Sequence, residues 1–243
     1  MDTTIKDVET WLHIQSEFAD QTLSWLPSDT HELWQENMKI KKHKEYLQKQ
    51  GWDKEHAIEY KFNERGFRTH KFDSQTNIIA LGCSFTVGTG LEYSQIWPSL
   101  LEKHLDITVF NLGVFGLSLD GCYRLLRYYL PLLKPNAVVL CEPPNQRFEI
   151  YCYDHFRTIQ YHLTAEYGDW AKEWFSNDYN LEVHREKNLA AFKVLCGDIP
   201  FFTFSDIAYY DDARDFMHCG PISHQKAFDK FIQENNLARI GKQ

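Results

Sequence analysis

Repeated pairing of a short apolar segment with a following amphipathic one predicts an α/β protein. The expected architecture is a three-layer α/β/α sandwich with a mostly parallel sheet, preceded by an N-terminal helical and strand extension. Three observations carry this. From Thr76 onward, four apolar runs of four or five residues alternate with stretches of helical spacing. The first three runs are cut off by glycine, asparagine or proline, residues that punctuate strands. With 243 residues, 43% of them hydrophobic and 15% aromatic, the chain can bury one sizeable domain and carry an extension.

Residues 1–70 read as the extension and 71–243 as the main domain. In the extension, helical spacing covers Val8–Leu23 and His31–Gln50, and the basic run Lys39–Lys44 reads as a solvated helix face. Ile58–Asn63 alternates apolar and polar like an edge strand, and Glu64-Arg65-Gly66 reads as a turn. In the main domain, Asn77–Leu81 is the first strand, apolar enough to be buried on both faces. A helix over Gln95–His104 leads to a second strand, Ile107–Phe110. The helix Leu119–Leu133 is stopped by Pro135, and the third strand, Ala137–Cys141, by Pro143-Pro144. Helix Leu181–Cys196, strand Pro200–Phe204 and helix Ser223–Asn235 complete the pattern.

Composition narrows the function. Lys and Arg number 26 against 34 Asp and Glu, a formal charge of −8. Phosphate-backbone binding needs a basic patch, so no nucleic-acid partner is expected. Every apolar run is too short to span a bilayer. The opening MDTTIKDVETW is acidic and polar, unlike a signal peptide. Six cysteines form no CxxC pair, which suits buried, reduced thiols and a cytoplasmic location.

Parallel sheets collect reactive groups beyond the carboxyl ends of their strands. The first strand is followed by Gly82-Cys83-Ser84-Phe85-Thr86-Val87-Gly88-Thr89-Gly90. A phosphate loop would need a lysine, and a dinucleotide fingerprint would need a third glycine after Gly88-Thr89-Gly90. The nucleophile elbow G-x-S-x-G fails because Thr86 stands at its second glycine. What remains is Ser84 on a tight strand-to-helix turn, with a helix N-terminus that favours a developing oxyanion. After the second strand, Gly116 offers an unobstructed backbone N–H, and after the third, Asn145 offers a side-chain amide. After the fourth come Asp215 and His218, spaced to face the same way on a helical turn, so that the carboxylate can orient the imidazole.

Each of these alone is an ordinary loop residue. Together, in the order Ser, Gly, Asn, Asp/His, they resemble the blocks of the SGNH/GDSL hydrolases over about residues 76–235. Gly82-Cys83-Ser84 is similar to that family's G-D-S, with Cys83 in place of Asp. Pro143-Pro144-Asn145-Gln146 stands where G-x-N-D belongs, and Asp215–His218 matches D-x-x-H. Asn63-Glu64-Arg65-Gly66-Phe67-Arg68 resembles a segment preceding the first block in some members.

The resemblance implies an SGNH hydrolase-like, flavodoxin-like sandwich and a serine esterase acting on a small acyl ester, with O-acetyl esters of carbohydrates among the candidates. Ser84 would be the nucleophile, His218 the base and Asp215 its orienting carboxylate. The oxyanion hole would comprise the N–H groups of Ser84 and Gly116 and the amide of Asn145. A histidine base works only when neutral, so activity is expected to rise with pH. An acyltransferase using the same acyl-serine and a catalytically silent glycan- or protein-binding module are the alternatives.

Residues 147–180 form an aromatic-rich insertion, among them Phe148, Tyr153, His162, Trp170 and Trp174. It reads either as a wall of the site or as a small satellite core. Phe85, beside the serine, and Arg147, close to Asn145, are the candidate substrate-binding residues. No cofactor is expected. No metal is expected either, since His218, Cys219 and His224 match no common zinc spacing. His224 reads as a packing or helix-surface residue.

Overall fold

The computed structural model describes residues 15–152, 155–161, 166–205, 207–237 and 240, the side chains of Cys152 and His155 excepted. Four parallel strands make the central sheet: β3 (Asn77–Leu81), β4 (Thr108–Asn111), β5 (Ala137–Glu142) and β8 (Phe201–Ser205), in the order β4-β3-β5-β8. All four carboxyl ends therefore lie on one side. The chain passes from β3 outward to β4 and then back across to β5, so the order reverses beside β3. Beyond the strand ends at such a reversal is the usual ligand position in open α/β sheets.

Strand alternation divides the core. Ile79, Leu81, Val138 and Leu140 face one cluster with Leu125, Leu126 and Phe192. Ile78, Ala80, Val139 and Cys141 face the other, with Trp97, Leu101, Phe228 and Phe231. Helices Leu119–Leu133 (α5) and Asp178–Cys196 (α7) thus cover one face, and Trp97–Leu105 (α4) and Pro221–Glu234 (α8) the other. This is the three-layer sandwich expected. The five described cysteines, Cys83, Cys122, Cys141, Cys196 and Cys219, are all buried. Among the described residues no helix is long and apolar enough to cross a membrane.

The extension departs from its reading at one end. The part of the expected Val8–Leu23 helix before residue 15 lies outside the described residues. Beyond it, Ser16–Phe18 is a single 3-10 turn, and Thr22–Leu23 is a strand, β1, antiparallel to β2 (Tyr60–Lys61). The backbone here is taken by pairing: Asp20 N–H donates to the Asn63 carbonyl at 3.0 Å and Phe62 N–H to the Gln21 carbonyl at 2.9 Å. Bonds to a distant strand displace the local helix. The His31–Gln50 helix is two helices, α1 (His31–Lys39) and α2 (Lys41–Gln50), because Ile40 is extended between them.

Ile58, Tyr60 and Phe62 are buried, matching the alternation. With Leu26, Trp34, Leu47 and Trp52 they form a third apolar cluster that also contains Leu91, Ile96 and Ala213 of the strand-end loops.

Within the insertion, β6 (Arg147–Cys152) and β7 (His155–Gln160) pair as an antiparallel hairpin, followed by helix α6 (Asp169–Phe175). Ile159, Phe175 and Leu181 are its buried centre, with Phe148, Ile150, Tyr167 and Trp174 around them. Tyr153 and His162 lie outside the described residues. The hairpin is tied to α5 by Arg124, whose Nε and Nη2 meet the Glu149 carboxylate at 2.9 and 2.7 Å. Gly121 leaves room there: a Cβ on it would sit 3.2 Å from Glu149 Oε1.

Candidate active site

The turn after β3 opens a one-turn helix, α3 (Ser84–Val87), with Ser84 at its first position. Cys83, 2% exposed, packs in the apolar cluster with Leu81, Leu112 and Cys122, where a carboxylate would be desolvated. The short helix has carbonyls to satisfy, and Arg68 supplies donors. Its Nη1 reaches the Val87 and Gly88 carbonyls at 3.1 and 2.7 Å, and its Nη2 the Leu91 carbonyl at 2.8 Å. Burial lowers the pKa of Arg68 to about 10. Asn111, the last residue of β4, supports the same helix: its Nδ2 donates to the Thr86 carbonyl at 2.7 Å and its Oδ1 accepts from Gly113 N–H at 2.9 Å.

The structure brings Ser84, His218 and Asp215 together. His218 Nε2 lies 2.8 Å from Ser84 Oγ, and His218 Nδ1 lies 2.6 Å from Asp215 Oδ2. The other carboxylate oxygen, Asp215 Oδ1, accepts from the N–H groups of Met217 and His218, both at 3.0 Å. Asp215 is 2% exposed and Ser84 7%, while Met217 beside them is open to solvent. Phe85 packs edge-on against the His218 ring, with centroids 5.3 Å apart.

Gly116 follows β4 with a φ of +65°, and a Cβ there would lie 3.1 Å from Gln160 Nε2, at the end of the insertion hairpin. Asn145 follows β5 and is half-buried. Its loop is anchored by Glu142, whose carboxylate takes Arg185 Nε at 2.6 Å and Thr203 Oγ1 at 2.8 Å. Arg147 Nη1 donates to the Leu117 carbonyl at 3.4 Å, which places it beside the Gly116 loop.

His224 lies elsewhere. It is 1% exposed, and its Nδ1 accepts the Trp97 N–H at 3.2 Å. Burial, aided by His218 and Arg68, lowers its pKa to about 3, so it is a neutral core residue. Among the described residues no group of three or more His, Cys, Asp or Glu is placed to hold a metal ion.

Sequence reading passed over Arg68, Asn111, Tyr60, Asp29 and Arg214. Arg68 carried a local signal, closing the Asn63–Arg68 segment. Asn111 carried another, a polar residue ending an apolar strand. The other three are joined only through the fold.

No protein-family profile and no curated protein sequence matches the chain. Among solved structures, similar ones include TesA, at 18% identity over 65% of this chain and 71% of that one, with a TM-score of 0.35. Another is the psychrotrophic esterase EstA from Pseudoalteromonas sp., inhibited by monoethylphosphonate, at 16% identity over 65% and 72% of the two chains, with a TM-score of 0.33. Likeness this shallow carries no function from one chain to another.

Proposed function

We propose that the protein is a serine ester hydrolase acting on a small acyl ester, O-acetyl esters being the first class to test. One observation carries the reading: a single imidazole joins the Ser84 hydroxyl at 2.8 Å to the buried Asp215 carboxylate at 2.6 Å. Ser84 Oγ attacks the ester carbonyl while His218 Nε2 takes its proton. The imidazolium formed is stabilised by Asp215, which also fixes the tautomer with the proton on Nδ1. His218 then returns the proton to the leaving alkoxide, giving the alcohol and an acyl-Ser84. Water, deprotonated by the same nitrogen, attacks the acyl-enzyme and releases the acid.

In this reading the oxyanion is met by the N–H groups of Ser84 and Gly116 and the Asn145 amide, and Phe85 and Arg147 border the substrate. Strand topology supports that assignment. β4 and β5 both flank β3, so the Gly116 and Asn145 loops leave the sheet on either side of Ser84.

The test is hydrolysis of nitrophenyl esters of increasing acyl length by wild type, Ser84→Ala and His218→Ala, with a fluorophosphonate probe. Turnover and Ser84 labelling that vanish in both variants are expected. Turnover that persists in folded Ser84→Ala, or a folded wild type that neither turns over nor labels, would overturn the reading.

A further inference from the structure

Arg214 immediately precedes Asp215, and it is 0% exposed. A guanidinium so buried needs a carboxylate and further acceptors. The carboxylate is Asp29 of the N-terminal extension, itself 1% exposed. Arg214 Nε lies 3.0 and 3.1 Å from its two oxygens and Nη2 2.5 Å from Oδ2, while Nη2 also donates to the Ser24 carbonyl at 2.6 Å. The guanidinium rests on the Trp25 ring, 4.2 Å from its centroid.

Asp29 has a second partner. The Tyr60 hydroxyl donates to its Oδ2 and accepts the Gly90 N–H at 2.9 Å. The Gly90 carbonyl in turn accepts the backbone N–H of Arg214 at 3.0 Å. These bonds close a buried ring through Asp29, Tyr60, Gly90 and Arg214. Gly90 belongs to the loop that begins at Ser84, and Arg214 to the loop that carries Asp215 and His218. The two loops touch where a glycine is required: Gly90 has a φ of +75°, and a Cβ there would lie 2.8 Å from Ala213 Cβ and 3.0 Å from Arg214 N.

We propose that Asp29 and Arg214 are positioning residues, and that the ring they close with Tyr60 and Gly90 sets the separation of Ser84 from His218. The extension is then part of the catalytic apparatus. The kinetic half of this inference rests on the ester-hydrolase reading; the geometric half does not. A polar ring of this kind has one low-energy arrangement, because every bond it loses strands a buried donor or charge. Small displacements of reacting groups cost rate steeply, about a hundredfold for an ångström.

The test uses the full chain carrying Asp29→Asn, Arg214→Lys or Tyr60→Phe. Each is assayed with nitrophenyl acetate, by fluorophosphonate labelling rate, and by the low-field proton resonance of His218 Nδ1–H, assigned by its loss in His218→Ala. Asp29→Asn is expected to lower kcat by between about tenfold and a hundredfold with KM little changed. Tyr60→Phe, which keeps the ion pair, is expected to lower kcat less, and Arg214→Lys, which keeps charge without the fork, to retain part of the rate. The low-field resonance should move in all three.

A merely structural role would lower the melting temperature while kcat per labelled site and the resonance stayed at wild-type values, and that result overturns the proposal. If Asp29→Asn does not fold, Tyr60→Phe decides by the same criteria. If wild type neither turns over nor labels, the hydrolase reading falls separately, and the resonance alone decides: movement in Tyr60→Phe supports the positioning ring, and no movement refutes it.

Discussion

His218 Nε2 and Ser84 Oγ lie 2.8 Å apart across 134 positions of sequence. Three features fix that distance. Ser84 opens a helix whose far end is held by Arg68, His218 is oriented by Asp215, and Asp215 is itself clamped by two backbone N–H groups. The hydroxyl is therefore met by an imidazole already turned toward it.

Asp215→Asn tests the orienting carboxylate. The amide oxygen can still accept from Met217 and His218, so the loop keeps its shape. The amide group facing Nδ1 favours the wrong tautomer, and kcat on nitrophenyl acetate should fall by roughly 10³–10⁴. Wild-type turnover in a folded variant would remove Asp215 from the mechanism.

Asn145→Ala tests the side-chain oxyanion donor. Loss of one such donor lowers kcat by about 10²–10³ while KM changes little. Pro143 and Pro144 precede it, so an unchanged kcat would mean that this loop holds its amide away from the reacting carbonyl.

The insertion hairpin is expected to depend on Arg124 and Glu149, whose side chains are 5% and 6% exposed. Glu149→Leu alone removes the carboxylate that meets Arg124 Nε and Nη2 and should be destabilising. Arg124→Met with Glu149→Leu removes both charges and should cost less than the two single changes summed. Urea unfolding of the four proteins measures the coupling; additive losses would show that the pair does not act as one.

His224 gives a pH dependence of stability. Its folded pKa is about 3, against about 6.5 for an unfolded imidazole. Between these values the unfolded chain binds a proton that the folded chain does not, so stability falls as pH drops from 6.5 toward 3. Within that window wild type should lose up to about 1.4 kcal/mol per pH unit more than His224→Gln, which has no proton to gain there. Parallel curves for the two proteins in thermal unfolding between pH 7.5 and 4.5 would contradict the assignment.

Much of the sheet was legible because its signals are local. β3 and α5 have the bounds that their patterning predicted. The positions of Ser84, Asp215 and His218 also followed from strand ends and spacing. The β6–β7 hairpin went unread although Phe148 and Ile150 alternate with Glu149 there; the density of aromatic residues masked the alternation. β1 was not legible, since only its pairing with β2 makes Thr22–Leu23 a strand. Nor were Asp29 and Arg214, charged residues that a sequence places at the surface until each is seen to bury the other.

The Asp29–Arg214 pair spans 185 positions, and this sets an order of events during synthesis. A growing chain presents Asp29 185 positions before the cation that lets it leave water. Any nascent or truncated chain ending before residue 214 holds an unmatched carboxylate, which resists burial. Tyr60 and the cluster around Trp52 cannot close fully over it. The same delay holds for Ser84, whose partner His218 is added after Arg214.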